Sequence, residues 1–402
     1  MLARTELGLM SSRPRISFFV HDLADNPVGR AIPLAMALRD DFDIEILGLL
    51  CSGTSIHQPY RDLFEYKVLP CKLDIVSVAM TIRKLAALAS GSVIYACKPL
   101  LTSLGPALIA ACRPRRMMLL DVDDDEWIPL GDSPSSFVWR DLVKGWRHAT
   151  AWKYTMAMHQ LTKVIHRITV SSTKLQRRYG GVLVRHGPDE RVFDPERPHL
   201  RDKLNCRQNF GLPPQSPLAL FAGLPRPHKG LPTLVDALLS KACANWQLVL
   251  VGPRDSQDFE SAAHSLGDRC HRLGFLDYSY LPSLLASVDA VPLPQLRVQF
   301  TESQIPAKLM DAMAMAKPIV ASRVGDLPEI LGNGCRGWLC EPGNATQFAD
   351  ALSEIAAHPQ EGVRRGAAAR DWFLKNASAN SIRDKILPLL AGSCTDEVKL
   401  GR

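Results

Sequence analysis

Leu218-Ala219-Leu220-Phe221-Ala222-Gly223, followed by Arg226-Pro227-His228-Lys229-Gly230, places two cations just past a glycine turn at the end of an apolar strand. Farther on, Glu302-Ser303-Gln304-Ile305-Pro306-Ala307-Lys308-Leu309-Met310-Asp311 reads as an acid, a polar turn and a helix that carries a second acid. Arginine offers phosphate oxygens a planar fork and lysine a point charge. Proline is tolerated in a first helical turn, which leaves the amides around Ser303 to Ala307 available to an anion. Cations beside a helix start are unfavourable unless an anion is there to meet them. The two segments together therefore suit a nucleotide diphosphate, with Glu302 and Asp311 able to reach hydroxyls on two different rings. The plainer readings are exposed cations at an ordinary helix start, and a common pairing of acids before and within a helix.

Around these segments, strands and helices alternate. Strands are expected at 218–222, 247–251, 270–273, 290–293, 318–321 and 338–340. Helices are expected at 231–241, 257–266, 281–286, 306–315 and 345–356, with a mostly helical tail over 360–390. The first half begins in the same way: a strand at 16–20, a loop with Pro27 and Gly29, a helix at 31–39 and a strand at 44–49. This βαβ unit predicts a parallel sheet. Further strands are expected at 93–96, 116–121 and 167–170, and a helical pattern covers 139–165. The stretch 196–217, rich in Pro, Arg and Asn, reads as a linker. The expectation is an α/β protein of two tandem, Rossmann-like, doubly wound domains, at 1–200 and 201–379, with a cleft between them and a segment 380–402 after them.

Composition narrows the function classes. The chain has 402 residues, 46% of them apolar and 22% charged, as expected of a globular protein with two cores. A net charge of +7 favours acidic partners without indicating nucleic acid. Ten cysteines with no CxxC pair suggest reduced thiols and a cytoplasmic setting. The N-terminus lacks a long apolar run, so no signal peptide is expected, and no run reaches transmembrane length. From Leu142 to Pro188 there is no Asp or Glu, and Trp139, Trp146 and Trp152 lie at the start of that stretch. A basic, Trp-bearing segment suits peripheral contact with an anionic membrane, or else a solvated helix face.

Other candidates are weaker. Gly29 lacks a full GxGxxG but can let backbone approach a phosphate. Asp121-Val122-Asp123-Asp124-Asp125-Glu126 suggests metal binding, acceptor recognition, general-base duty or a solvated loop. His21, His186 and His228 each sit beside a strand end or motif, where a lone histidine is more often structural.

The second half resembles the donor domain of a GT-B-fold, family 4-type retaining glycosyltransferase (glycosyl transferases group 1). The resemblance covers about 218–358. It rests on Phe221-x-Gly223, Arg226-x-x-Lys229-Gly230, Val251-Gly252, Leu273-Gly274-Phe275 and the helix from Lys308 to Met313. Lys317-Pro318, Val324-Gly325, Pro328-Glu329 and Glu341-Pro342-Gly343 continue it in order. The first half resembles the family only at Val170-Ser171-Ser172 and at Gly187-Pro188-Asp189 to Phe193-Asp194-Pro195.

The resemblance implies transfer of a hexosyl group from a nucleotide-diphosphate sugar, with retention and with no metal or other cofactor. The acceptor would be a sugar or a lipid-linked sugar in glycan, polysaccharide or glycolipid biosynthesis, at the cytoplasmic face of a membrane. Arg226 and Lys229 would bind the diphosphate, Glu302 the transferred sugar and Asp311 the ribose. Leu273 to Phe275 would lie near the base, Gly223, Ser303, Gln304 and Ile305 would complete the donor site, and Gly29 would face the phosphates. His21, Asp123 and Asp124 are acceptor-side candidates, and the last helix would cross back onto the first domain. Eight residues separate Glu302 from Asp311, one more than the family pattern, and the second acid is Asp. The alternatives are a non-catalytic nucleotide-sugar-binding module and a same-fold nucleotide-sugar 2-epimerase, which the Arg-x-x-Lys-Gly turn fits less well.

Overall fold

The computed structural model describes residues 13–25, 27–125 and 147–391. Trp139, Trp146, Glu126 and the first twelve residues lie outside them. Seven strands form the first sheet: β1 (Arg15–Val20), β2 (Asp43–Leu50), β3 (Tyr66–Pro70), β4 (Val93–Cys97), β5 (Met117–Val122), β6 (Ile168–Val170) and β7 (Val182–Leu183). They run in the order β3-β2-β1-β4-β5-β6-β7, every pair parallel. Near-continuous apolar strands such as Ile-Ser-Phe-Phe-Val are what a sheet covered on both faces requires. Phe18 and Tyr95 stack at 5.0 Å in its core.

The second domain holds β8 (Leu218–Ala222), β9 (Gln247–Val251), β10 (Cys270–Gly274), β11 (Val291–Leu293), β12 (Ile319–Ser322) and β13 (Trp338–Cys340). They form two parallel three-stranded sheets, β10-β9-β8 and β11-β12-β13. A parallel bridge between Ala219 and Ala290 joins them edge to edge. Leu309, Met310 and Met313 on the helix Ala307–Ala314 are fully buried in the core against this sheet.

The chain passes from the first core, which holds Val184, to the second, which holds Phe193. The 196–217 stretch is therefore not a free linker. It folds into the helices Pro198–Arg201 and Lys203–Asn209 and buries Leu200, Cys206 and Leu212 in the second core. Its polarity is deceptive because Arg207 is buried, donating to Asp289 at 2.6 Å and to the Ser287 carbonyl at 2.9 Å.

Two terminal helices tie the domains together. Pro359–Asn376 packs Ala369 and Phe373 into the second core, and Ala379–Ala391 returns to bury Ile382 and Ile386 in the first. A buried ion pair adds to this link: Arg185 donates to Asp326 at 2.9 Å, and the Thr173 amide donates to the same carboxylate at 2.8 Å. Among the described residues no helix is long and apolar enough to cross a membrane.

Candidate functional site

In a parallel α/β sheet the loops at the C-terminal strand ends form the crevice where ligands bind. Here both sheets turn those ends toward one interdomain cleft of about 1150 Å³ including its mouth. The loop after β8 supplies Gly223, Arg226 and Lys229, and the loop after β11 supplies Gln295. The helix Ala307–Ala314 begins on the cleft with Pro306, Ala307 and Lys308. From the first domain come Gly29 and Arg30 at the start of the helix Val28–Leu38, Asp123 and Asp124 after β5, and His186 after β7.

The local backbone explains how the cations are presented. Gly223 has φ +98°, and a Cβ there would come within 3.2 Å of the Lys308 ammonium. Gly230 has φ +67°, and its Cβ would lie 1.8 Å from the Pro294 carbonyl oxygen, so only glycine fits. Lys229 donates to the Leu224 carbonyl at 2.8 Å. Lys308 lies over the Phe221 ring, 4.9 Å from its centroid. Burial, then the charge of Arg226, lowers Lys229 to about 8. Burial, then Lys229, pushes Lys308 well below the usual lysine range. His228, lowered to about 4 by burial and by Lys229 and Arg226, is neutral near pH 7. The helix Ala307–Ala314 has neither a side-chain cap nor an acid in its first turn, so nothing in its own sequence answers its N-terminal amides. Asp25 and Asp311 offset only part of the burial of Lys229 and Lys308, and cations and amides gathered in this way make an anion site.

The opposite wall is acidic but internally paired. Lys98 lies 2.8 Å from Asp124 and 3.3 Å from Asp123. Gln304 reaches across the cleft to donate to Asp124 at 3.2 Å. Burial raises Asp123; for Asp124 burial is outweighed by Lys98 and the Gln304 hydrogen bond, and its proton affinity falls. Arg30 holds Asp121 through two bonds of 2.7 Å, and Arg178 pairs with Asp125. The acid run thus supplies an ion-paired wall, and among the described residues no group of three or more His, Cys, Asp or Glu is placed to hold a metal.

The expected site residues separate into two groups. Gly29, Asp123, Asp124, Gly223, Arg226, Lys229, Gln304 and Ile305 line the cleft, while Asp311 lines a recess beside it. Glu302 does not line the cleft. Its carboxylate accepts from the Gly325 amide at 3.2 Å and lies 3.4 Å from Arg297, which holds it toward a neighbouring loop. Ser303 is buried, its hydroxyl donating to the Phe300 carbonyl at 3.0 Å. Leu273 packs on the second core, and Phe275 meets His57 of the first domain edge-on at 5.9 Å; neither lines the cleft. His21 pairs with Thr102 and lies outside the lining as well. Sequence reasoning missed the cationic role of Lys308, although the residue sits one position inside the helix start. It also gave no role to Arg30 and His186, whose cleft positions depend on the folding of both domains.

Residues 216–358 match the family model described as glycosyl transferases group 1. An uncharacterised glycosyltransferase of Methanocaldococcus jannaschii is 31% identical over 161 residues, covering 38% of this chain and 39% of that protein. A phosphatidyl-myo-inositol mannosyltransferase of Mycobacterium leprae is 30% identical over 193 residues, covering 47% of this chain and 49% of that protein. The chain thus aligns with about half or less of the length of these curated relatives. Among solved structures, HepE of Anabaena in complex with UDP and glucose superposes with a TM-score of 0.69 at 19% identity, over 94% of this chain and 100% of that one, a likeness of fold. Residues 216–358 of the second domain thus carry the likeness to the glycosyl transferases group 1, and the two domains together form a GT-B fold.

Proposed function

We propose that the protein transfers a hexosyl group from a nucleotide-diphosphate sugar to an acceptor, with retention at the anomeric carbon and without a metal ion. The observation that carries this reading is the meeting of Arg226, Lys229 and Lys308 with the uncapped start of the helix Ala307–Ala314 in one cleft. As the bond between the anomeric carbon and the diphosphate oxygen breaks, negative charge grows on the leaving group. Preorganised cations and amides stabilise that charge without reorganising. Asp123 and Asp124, on the facing wall, address the acceptor hydroxyl. The complex of HepE with UDP and glucose supports a nucleotide-sugar donor, and the mannosyltransferase relative supports a hexose.

A thermal-shift screen of UDP-, GDP- and ADP-sugars tests the donor, since a ligand at a hundred times its Kd stabilises by about 2.7 kcal/mol. One of the three series should raise Tm; no shift with any of them contradicts the reading. The placement of Glu302 outside the cleft favours a second reading, a binding module without turnover. Slow hydrolysis of the stabilising nucleotide sugar in the absence of acceptor excludes it.

For the acceptor we propose a sugar or lipid-linked sugar used in glycan, polysaccharide or glycolipid synthesis at the cytoplasmic face of a membrane. The helix Trp152–Leu161 buries none of its residues and exposes Trp152 and Leu161, with Val164 just beyond it, close to Lys153 and Lys163. Sedimentation with anionic liposomes at low salt, lost at high salt, is the expected result; no sedimentation at low salt contradicts it.

A further inference from the structure

Beside the cation cluster the cleft continues into a recess of about 300 Å³ including its mouth, where the two domains meet. Gly29, Tyr60, His186 and Ala307 line both spaces. A ligand whose diphosphate rests on the cations therefore has its next atoms at the recess. Asp311 and Tyr278 of the second domain line it, and so does Tyr60 of the first.

Tyr60 and Tyr278 have ring centroids 5.5 Å apart, and Tyr278 lies 5.4 Å from Phe193 of the second core. The segment that carries Tyr60 is anchored from behind. The His57 amide donates to the Leu23 carbonyl at 2.7 Å, and the Tyr66 hydroxyl donates to the Tyr60 carbonyl at 2.6 Å. Among the described residues nothing donates a hydrogen bond to the Asp311 carboxylate, and neither phenol makes one. Burial raises Asp311 to about 7, and burial followed by the charge of Asp311 raises both phenols. A half-buried carboxylate and two half-buried phenols gathered in one recess, with no hydrogen bond to the described residues, leave their polar atoms available to a ligand. Aromatic rings together with free acceptors and donors match a ligand that has a flat face and adjacent hydroxyls.

We propose that Tyr60 is a donor-binding residue contributed by the first domain, which with Asp311 and Tyr278 forms the nucleoside subsite. Both domains then read the nucleoside, and its recognition requires the cleft to be assembled. This inference rests on the donor reading above.

Calorimetric titration with UDP, GDP, ADP and inorganic pyrophosphate tests it. The wild-type protein should bind at least one nucleoside diphosphate more tightly than pyrophosphate. Tyr60→Ala should weaken that nucleoside diphosphate at least tenfold and change pyrophosphate less than twofold. Tyr60→Phe keeps the ring contacts and hence the fold; it should weaken the nucleoside diphosphate threefold or more, again sparing pyrophosphate. An unchanged nucleoside diphosphate affinity in Tyr60→Phe, or equal losses for both ligands, overturns the inference. Wild-type binding of pyrophosphate with no preference for any nucleoside diphosphate overturns it too, while leaving the phosphate cradle standing. Failure of the wild type to bind any of the four contradicts the donor reading itself.

Discussion

Lys308 gives the cleft its charge as much as the two cations that precede it in the chain. Its amine stands beside Gly223 and close enough to Lys229 for burial and the Lys229 charge to lower its proton affinity, a cost that a bound anion would relieve. Lys308→Ala should therefore weaken nucleoside diphosphate binding tenfold or more by calorimetry. The pH dependence follows with a defined sign. Diphosphate binds the ammonium form, and Lys229 loses its proton at about 8 in the free protein. The Kd should rise as the pH passes that value, by up to about tenfold per unit for this lysine; a Kd independent of pH from 7 to 10 contradicts this. Glu302→Gln makes the opposite kind of prediction. The carboxylate is engaged by Gly325 and Arg297 outside the cleft, so kcat should stay within about threefold of wild type, whereas removing an electrostatic stabiliser costs a hundredfold or more. Arg226 and Lys229 were legible in sequence because a glycine turn and a helix start fix where neighbouring side chains go. The direction of Glu302 was not, because one of the partners that hold it, the Gly325 amide, lies more than twenty residues farther along the chain.

At the scale of elements, the turn 227–230 is the piece with least tolerance. It runs as a short 3-10 turn into Gly230, whose left-handed backbone lies against the Pro294 carbonyl. Gly230→Ala should destabilise by more than about 2 kcal/mol through strain and overlap, and the loss should appear as a lower denaturant midpoint. A midpoint equal to wild type contradicts this. The strands of the second domain were legible because each is a short apolar run between turn residues. β3 and the helix Ile75–Leu88 were not. β3 is an edge strand whose residues are half-buried or exposed, so it lacks the contrast that marks a strand. The helix opens Ile-Val-Ser-Val, rich in β-branched residues that favour strand, and the Asp74 cap accepting from the Ser77 amide at 2.9 Å supports it as helix.

At the scale of the whole molecule, the chain crosses between its domains at 184–193 and again at the helix Ala379–Ala391, and contacts such as the pair of Arg185 with Asp326 hold the two walls of the cleft together. Both partners of that pair are buried, and removing one leaves a buried charge. Asp326→Ala should cost about 3–5 kcal/mol, with donor affinity falling as well because the two walls lose their register. A stability loss below about 1 kcal/mol would argue against this link. The doubly wound halves could be read from the alternation of strands and helices. The packing of a terminal helix on the first domain could not be read from periodicity, since Ile382 and Ile386 have partners hundreds of residues earlier, and only the family resemblance anticipated it. In the proposed reaction the cations of the cleft stabilise a departing nucleoside diphosphate. The most direct test of that role is the turnover of Lys229→Ala, measured beside wild type with the nucleotide sugar that stabilises the fold. A loss of a hundredfold or more is expected, about 3 kcal/mol of transition-state stabilisation, with the fold intact by circular dichroism; turnover equal to wild type rules out that role for the cations.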